Sequence, residues 1–476
     1  MIINVGPSFC RVDGTRDELY WLKALLTVDV PGAQYTAIYR RQQWDGKKRF
    51  FSLVSKVFPV GLLDYVLKNK GTKIIVVEDT RVYKHIDNIP SILNTIELRD
   101  YQIEAIQSCL SKRNCLVEAA TNAGKTAIFS GIIKKLYPLP TLVLTHRSEL
   151  LVQTRDFIKR YTGIECGLIT SVDVLIKPIT VAMISTLANR IGVDQEITDF
   201  YESVQCVIAD ECHHSKAKTF ASVLSASKAV YRFGFSGTIP PEGTLEGMEV
   251  RQFIGSVGFS ISNERLIDLK VSAKPHILLF EIDVRDKVRG IHALAKAELE
   301  AVNELYSTRE LLRKTYDLVI KRAIVNNIER NMKTVEVINK EKSKSVLIVV
   351  DYLEHGMVIE ELLRDNNIIC SFISGSSEHR VKALQEFKEG SLKVLIATNI
   401  VDEGLDISQI GVLVLLAGKK SRRQLLQRIG RSLRRKSDSD VVHIYDFCDF
   451  GNKYLEKHTK ERISIYKAEK FDMQFV

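Results

Sequence analysis

The stretch Cys115–Thr126, CLVEAATNAGKT, admits few folds. Cys115, Leu116 and Val117 read as the end of a buried strand, and Ala123-Gly124-Lys125-Thr126 turns into a helix that runs on to Leu136. A tight glycine turn between strand and helix points backbone N–H groups into one small concavity, with the positive end of the helix behind it. Such a loop (Thr121, Asn122, Ala123 and Gly124) suits a phosphate. Lys125 can reach the outer phosphates, and the Thr126 hydroxyl can ligate Mg²⁺. The full pattern G-x-x-x-x-G-K-[ST] asks for glycine at 119, where this chain has Ala119. Taken alone, the loop also fits a Gly-Lys-Thr that merely opens a helix.

The surroundings favour the phosphate. From Leu98 onward helices alternate with short apolar runs at Cys115–Val117, Thr141–Thr145, Ile179–Ile184, Cys206–Ala209 and Tyr231–Ser236. That alternation predicts a parallel sheet with helices on both faces, and ligands at the carboxyl ends of its strands. After Gly258 the pattern breaks. Ile277–Ile282 reads as a strand, and Lys287–Lys340, free of proline, as one or more long helices. A second α/β run follows at Ser345–Val350, Ile369–Ile373, Lys393–Ala397, Val412–Leu416 and Val441–Tyr445. A chain of 476 residues needs several cores. The expected division is 1–90, a nucleic-acid-binding domain; 91–270, a first α/β domain; 271–340, a strand and helical linker; and 341–476, a second α/β domain.

The first ninety residues differ in character. YTAIYRRQQWDGKKRFF, from Tyr35 to Phe51, interleaves aromatics with Arg40, Arg41, Lys47, Lys48 and Arg49. Asp45-Gly46, beside Trp44, predicts a hairpin turn between β-prone runs. Tyr35, Ile38, Phe50, Phe51 and Leu53 would supply the apolar faces. The functional reading is a basic ribbon on a nucleic-acid backbone. The structural alternative is a small sheet with a cationic edge that blocks pairing with other strands. The net charge of +10 favours a polyanionic partner without naming it. No apolar run reaches the ~18–20 residues of a membrane span. Charges interrupt the N-terminus before any signal-like segment, and the eight cysteines form no CxxC pair. A reduced, cytoplasmic setting is therefore expected.

Several side chains carry chemistry. Asp210 and Glu211 end the apolar run Cys206–Ala209, 85 residues after Lys125. Beside a phosphate loop, Asp210 would hold Mg²⁺ and Glu211 would orient and deprotonate an attacking water. Cys212, His213 and His214 lack a second ligand pair at zinc spacing, which argues against a metal cluster. Tyr101 and Gln102 open a helix. The ring offers a stacking face, and the amide offers the paired donor and acceptor that read adenine. Between Lys419 and Lys436 there are nine basic residues and no acidic one. Within it, Arg431 and Arg434 are three apart on a predicted helix, able to reach one phosphate together.

The motifs LRDYQ, ATNAGKT, THRSELLVQT, DECH, SGT, ATNIVDEGLDIS and QRIGRSLRR occur in that order between about residues 98 and 436. The chain closely resembles superfamily 2 helicases and translocases of the DExH type. The resemblance implies two RecA-like parallel-sheet domains behind a small N-terminal α+β domain, an α/β fold, with ATP bound in the cleft between the RecA-like pair. It assigns Lys125, Thr126, Asp210 and Glu211 to ATP and Mg²⁺, and Arg431 and Arg434 to arginine fingers. Tyr101 and Gln102 match its adenine-contacting motif. Gly404, Asp406 and Gln427 fall in motifs that touch nucleotide. Ser236, Gly237 and Thr238 match the segment that couples hydrolysis to strand movement. Thr145, His146, Arg147 and Thr186 match backbone contacts in the first domain, and Ser374, Gly375 and Thr398 in the second.

DECH in place of DEAD, and Gln427 in place of histidine, lean toward DNA-directed members. The front domain with WDGKKRFF, the size and the helical linker look most like phage branch-migration helicases of the UvsW type, more distantly like XPB and RecG. The expected function is an ATP-dependent helicase or translocase on forked or junction DNA. An RNA helicase, and a nucleic-acid clamp with a degenerate ATPase, are the alternatives.

Overall fold

The computed structural model describes residues 1–84, 91–146, 148–213, 218–302, 306–375, 378–398, 410–416, 425–426, 428–430 and 441–476. Contacts divide the chain into two compact units, Met1–Ser262 and Asn263–Val476.

The first unit opens with a small α+β module. Strands β1 (Ile2–Val5), β2 (Phe9–Asp13), β3 (Thr27–Asp29), β4 (Lys47–Arg49), β5 (Val57–Pro59) and β6 (Val76–Asp79) form a four-stranded sheet, β5-β2-β1-β6, and a separate β3–β4 ribbon. β1 and β2 alternate exposed and buried residues, the pattern of a sheet covered on one face. The covering helix, Arg16–Leu25, starts at a Thr15–Glu18 capping box and buries Leu19 and Leu22.

The expected pair of strands around Asp45-Gly46 is not there. Ala33–Tyr35 is a 3-10 turn and Ala37–Arg40 a single α-turn. Thr36 caps that turn by accepting from the Tyr39 N–H. β4 instead pairs upstream with β3, with Val28 opposite Lys48, in a ribbon of two strands.

The large sheet of this unit contains β7 (Asn114–Ala119), β8 (Thr141–Thr145), β9 (Gly167–Ile169), β10 (Val174–Leu175), β11 (Ile179–Met183), β12 (Cys206–Ala209), β13 (Tyr231–Ser236) and β14 (Val257–Ile261). Its order is β10-β9-β11-β8-β12-β13-β7-β14. β8, β12 and β13 are buried along their whole length, as expected of parallel strands covered on both faces.

The module docks at the amino end of β13 through Arg232, which is fully buried. Its guanidinium donates to the carbonyls of Ala229 (3.0 Å), Leu224 (2.8 Å) and Ser227 (2.8 Å), and to Ser8 Oγ (2.7 Å) from the module. Burial lowers the Arg232 pKa to about 10, so the group stays charged at neutral pH. Nearby, the Gly61 N–H donates to the Gln252 carbonyl at 3.0 Å. A Cβ at Gly61 would collide with the Arg251 carbonyl oxygen, so glycine is required for this approach. Phe9 and Phe253 meet edge to face at 5.7 Å.

The second unit is one parallel sheet of β15 (Lys274–Asp283), β16 (Val346–Val349), β17 (Cys370–Ile373), β18 (Val394–Ala397), β19 (Val412–Leu415), β20 (Val441–Phe450) and β21 (Asp472–Phe475). Its order is β17-β18-β16-β19-β20-β15-β21. β15 pairs with β20 along its full ten residues, so the strand expected ahead of the second domain lies within its sheet. Helices Ile291–Val302, Thr308–Ile320 and Ile328–Lys340 follow it.

A buried polar cluster lies beneath those helices. His355 is fully buried and its Nε2 is 3.1 Å from Asn331 Oδ1, which makes Nε2 the protonated nitrogen of a neutral ring. Burial, helped by the Arg330 charge, lowers the His355 pKa to about 3. The unfolded chain binds this proton near pH 6.5 and the folded chain does not. The stabilisation is therefore complete above pH 6.5 and is lost as pH falls toward 3, at about 1.4 kcal/mol per pH unit. His355→Gln, which keeps a donor for Asn331, should flatten the loss of urea stability between pH 7 and pH 5 relative to the parent chain. Equal slopes would refute this source of acid sensitivity.

Candidate functional site

The candidate phosphate loop takes its shape from its own residues. β7 ends at Ala119, and the helix Lys125–Leu136 begins after Gly124, whose φ is +77°. A Cβ at Gly124 would press on Gln102 Nε2, so the position needs glycine for both conformation and space. Tyr101 Oη and Gln102 Nε2 each donate to the Ala123 carbonyl at 3.0 Å. Gln102 Oε1 accepts from the Arg99 N–H at 3.0 Å. Both side chains are buried and turned toward the loop. Thr121 and Asn122 form its tip, with Asn122 at φ +74°.

β12 delivers Asp210 and Glu211 to the same carboxyl edge, one strand beyond β13. Lys125 Nζ lies 3.3 Å from Glu211 Oε1, joining the two motifs directly. Burial raises the Glu211 pKa, but Lys125 and His213 more than offset it and hold the carboxyl well below its ordinary range. Burial and the adjacent Glu211 charge push Asp210 up to about 6. Two half-buried carboxylates side by side, with a threonine hydroxyl at the foot of the loop, form the oxygen-rich donor set that suits Mg²⁺.

His213, weighed in the sequence only as a metal ligand, has another position. Its Nδ1 is 2.8 Å from Ser236 Oγ and 3.2 Å from Glu211 Oε2. Ser236 Oγ donates in turn to the Thr238 carbonyl at 2.8 Å and accepts from the Thr238 N–H. The next amide, Ile239 N–H, donates to Glu118 Oε1 on β7 at 3.0 Å. A continuous polar path therefore runs from Glu211 through the Ser236-Gly237-Thr238 segment to the strand beneath the phosphate loop. The adjacency of DECH and SGT across β12 and β13 is a pairing the sequence spacing does not reveal.

Thr145 ends β8 and His146 follows it, and Thr186 lies just after β11, the neighbouring strand. The carboxyl edge thus splits into β7, β13 and β12 on one side and β8 with β11 on the other. Thr145 Oγ1 is buried and has no hydrogen-bond partner among the described residues. In the second unit Ser374 and Gly375 follow β17, with Gly375 at φ +63°, and Thr398 follows the neighbouring β18. Arg147, Gly404, Asp406, Gln427, Arg431 and Arg434 lie outside the described residues.

Arg428, between Gln427 and Arg431, is described. It is buried, and its guanidinium meets Asp351, at the end of β16, at 3.1 Å. The sequence marked Arg428 only as part of a basic run. Its burial beside a carboxylate shows that the run is anchored inward at Arg428.

In the front module, Trp44 Nε1 donates to the Lys47 carbonyl at 2.9 Å and closes the turn. Lys47 pairs with Asp29 at 3.7 Å, Lys48 with Glu249 at 2.9 Å, and Arg49 with Asp45. Arg40 and Arg41 are exposed and make no ion pair among the described residues.

Comparison with known proteins agrees with the motif order. Residues 95–241 match the family "Type III restriction enzyme, res subunit", and residues 329–436 match "Helicase conserved C-terminal domain". A "Putative ATP-dependent helicase IRC3" of Saccharomyces cerevisiae is 27% identical over 379 residues, 74% of this chain. The chain spans about half of that relative, 51%. The "ATP-dependent DNA helicase uvsW" of Enterobacteria phage T4 is 22% identical over 514 residues, covering 98% of this chain and 96% of the relative. The Hef helicase domain of Pyrococcus furiosus shares the fold, with a TM-score of 0.52 at 14% identity, over 78% of this chain and 98% of that one.

Removing one member of a buried ion pair strands the other, at about 3–5 kcal/mol. Asp351→Asn should therefore lower the urea stability of the chain by about 3 kcal/mol, since some hydrogen bonding to Arg428 survives. An unchanged unfolding midpoint would show that the pair anchors nothing.

Proposed function

We propose that the chain, a superfamily 2 helicase, is an ATP-hydrolysing DNA helicase that remodels branched DNA, forks and junctions above all. The observation that carries this reading is the joined constellation of Lys125, Glu211, His213 and Ser236 in the first unit. The nearly full-length match to a phage DNA helicase, front module included, supports DNA over RNA.

In this reading Gly124, Lys125 and the loop N–H groups receive the phosphates of ATP. Thr126 and Asp210 would hold Mg²⁺, which would supply charge neutralisation to the phosphates. Glu211 positions a water and takes its proton. Arg431 and Arg434 serve as arginine fingers, and Gly404, Asp406 and Gln427 as further nucleotide contacts. Gln102 reads the adenine by exchanging its present bond to Ala123, with Tyr101 beside it. Thr145, His146, Arg147, Thr186, Ser374, Gly375 and Thr398 hold the DNA backbone. Backbone contacts carry little sequence information, so selectivity is for DNA structure. Ser236, Gly237 and Thr238 pass the state of Glu211 to those contacts. Residues 1–90 act as the nucleic-acid-binding domain, with 91–270 and 341–476 as the two motor domains and 271–340 leading into the second.

Lys125→Ala and Glu211→Gln should each cut DNA-stimulated ATP hydrolysis at least a hundredfold while the chain stays folded and binds DNA. Either variant turning over at the parent rate would refute the assignment. ATPase and unwinding on forks, four-way junctions, tailed duplex and structured RNA test the substrate. Greater stimulation by RNA than by any branched DNA would overturn the DNA reading.

A further inference from the structure

The front module carries a surface that the motifs do not explain. Between Asp29 and Asp45 the chain PGAQYTAIYRRQQW contains no acidic residue. It leaves the β3–β4 ribbon, makes the two short turns and returns. The Ala37–Arg40 turn buries none of its residues. Tyr35 is 73% exposed and Ile38 56%. A single helical turn with its apolar side chains in water is not there to build a core.

The excursion is nevertheless fixed. Gly46, at φ +74°, has no room for a Cβ because the Tyr39 ring and Ala33 pack against it. Trp44 closes the base onto Lys47, and Val30 N–H donates to the Gly46 carbonyl at 2.8 Å. Lys48 ties the ribbon to Glu249 of the motor fold. Ribbon cations are spent on Asp29, Glu249 and Asp45. Arg40 and Arg41, beside the apolar tip, have no carboxylate partner among the described residues.

We propose that this tip is a base-stacking wedge: Tyr35 and Ile38 abut the terminal base pair where duplex opens into single strands, and Arg40 and Arg41 hold the flanking phosphates. Aromatic and aliphatic side chains next to arginines that have no carboxylate partner among the described residues, Arg40 donating only to the Gln34 carbonyl at 3.4 Å, match the faces of a base pair and its backbone together. An acidic protein partner would satisfy the arginines but has no special use for the exposed ring. The inference rests on the DNA reading above and specifies where in the DNA the module sits.

A photoreactive benzophenone amino acid replacing Tyr35 should crosslink to forked DNA within two or so nucleotides of the junction, on the scale of one stacked step. Tyr35→Ala with Ile38→Ala should separate about tenfold fewer base pairs per ATP hydrolysed on a fork. Arg40→Ala with Arg41→Ala should weaken fork binding and reduce its salt dependence by about two phosphate contacts, without that loss of coupling. Both pairs are exposed, so neither change threatens folding. Crosslinks confined to duplex far from the junction, or an unaltered number of base pairs per ATP in the Tyr35/Ile38 variant, overturn the wedge. No crosslink to bound DNA overturns it too and marks the tip as a protein-docking surface. A parent chain that neither binds forks nor hydrolyses ATP with them overturns the DNA reading, and the wedge with it. A parent chain that unwinds forks while the variant keeps its coupling overturns the wedge alone.

Discussion

Lys125 and Glu211 hold each other at 3.3 Å in a half-buried site, and the first unit is arranged to make that contact. Neither charge is cheap to desolvate alone. Together they are tolerated, and the carboxylate is kept ionised by the ammonium and by His213. Under the function proposed above, the pairing bears on turnover. A lysine drawn to an entering phosphate leaves Glu211, and the strongest opponent of its burial goes with it. Its proton affinity then rises toward the range in which a carboxylate accepts a proton from water effectively. In its proposed role Glu211 would thus be a weak base while paired with Lys125 and a stronger one once Lys125 has changed partners.

β13 connects the two ends of this machinery. It is six residues long, buried throughout, and paired with β12 and β7 on either side. At its carboxyl end Ser236 receives His213 and passes the contact to Thr238. At its amino end Arg232 reaches through the domain surface to Ser8. A buried guanidinium is expensive to dehydrate unless its donors are satisfied, and four of its five described bonds go to backbone carbonyls. The fifth goes to the front module. The arrangement ties the module to the strand that carries Ser236, an anchorage that the proposed wedge would need.

The sequence was most informative where function and periodicity coincide. Each expected strand of the first α/β run formed, and Asp210, Glu211, Lys125 and Ser236 came to one edge, because buried parallel strands must be apolar and their carboxyl ends must carry the polar groups. Reading failed where local propensity lacked a partner. Tyr35–Arg40 is rich in β-prone residues, yet a strand is defined by what it pairs with, and this stretch closes into short turns while β4 pairs with β3. Arg232 was unreadable for a related reason. A lone arginine in an apolar run signals nothing until the carbonyls that surround it are known. His213 was considered for a metal because adjacent histidines suggest one. Its contact with Ser236 depends on strand order, which local sequence does not encode.

In the second unit the same physics works through helices. Arg330, Arg428 and Arg462 are buried and meet Asp449, Asp351 and Asp446. Asp446 and Asp449 lie on β20, and Asp351 follows β16. Each arginine belongs to a different stretch of chain, two of them the helices Ile328–Lys340 and Lys453–Ala468. Pairs of this kind add little net stability over well-packed apolar residues, because desolvation cancels most of the attraction. What they add is register. An apolar contact tolerates a slide of an ångström, whereas a buried guanidinium that slides loses its carboxylate and its hydrogen bonds together. Under the function proposed above, the Arg428–Asp351 pair would matter more for register than for net stability, since a charge that has to meet a phosphate has to be placed closely.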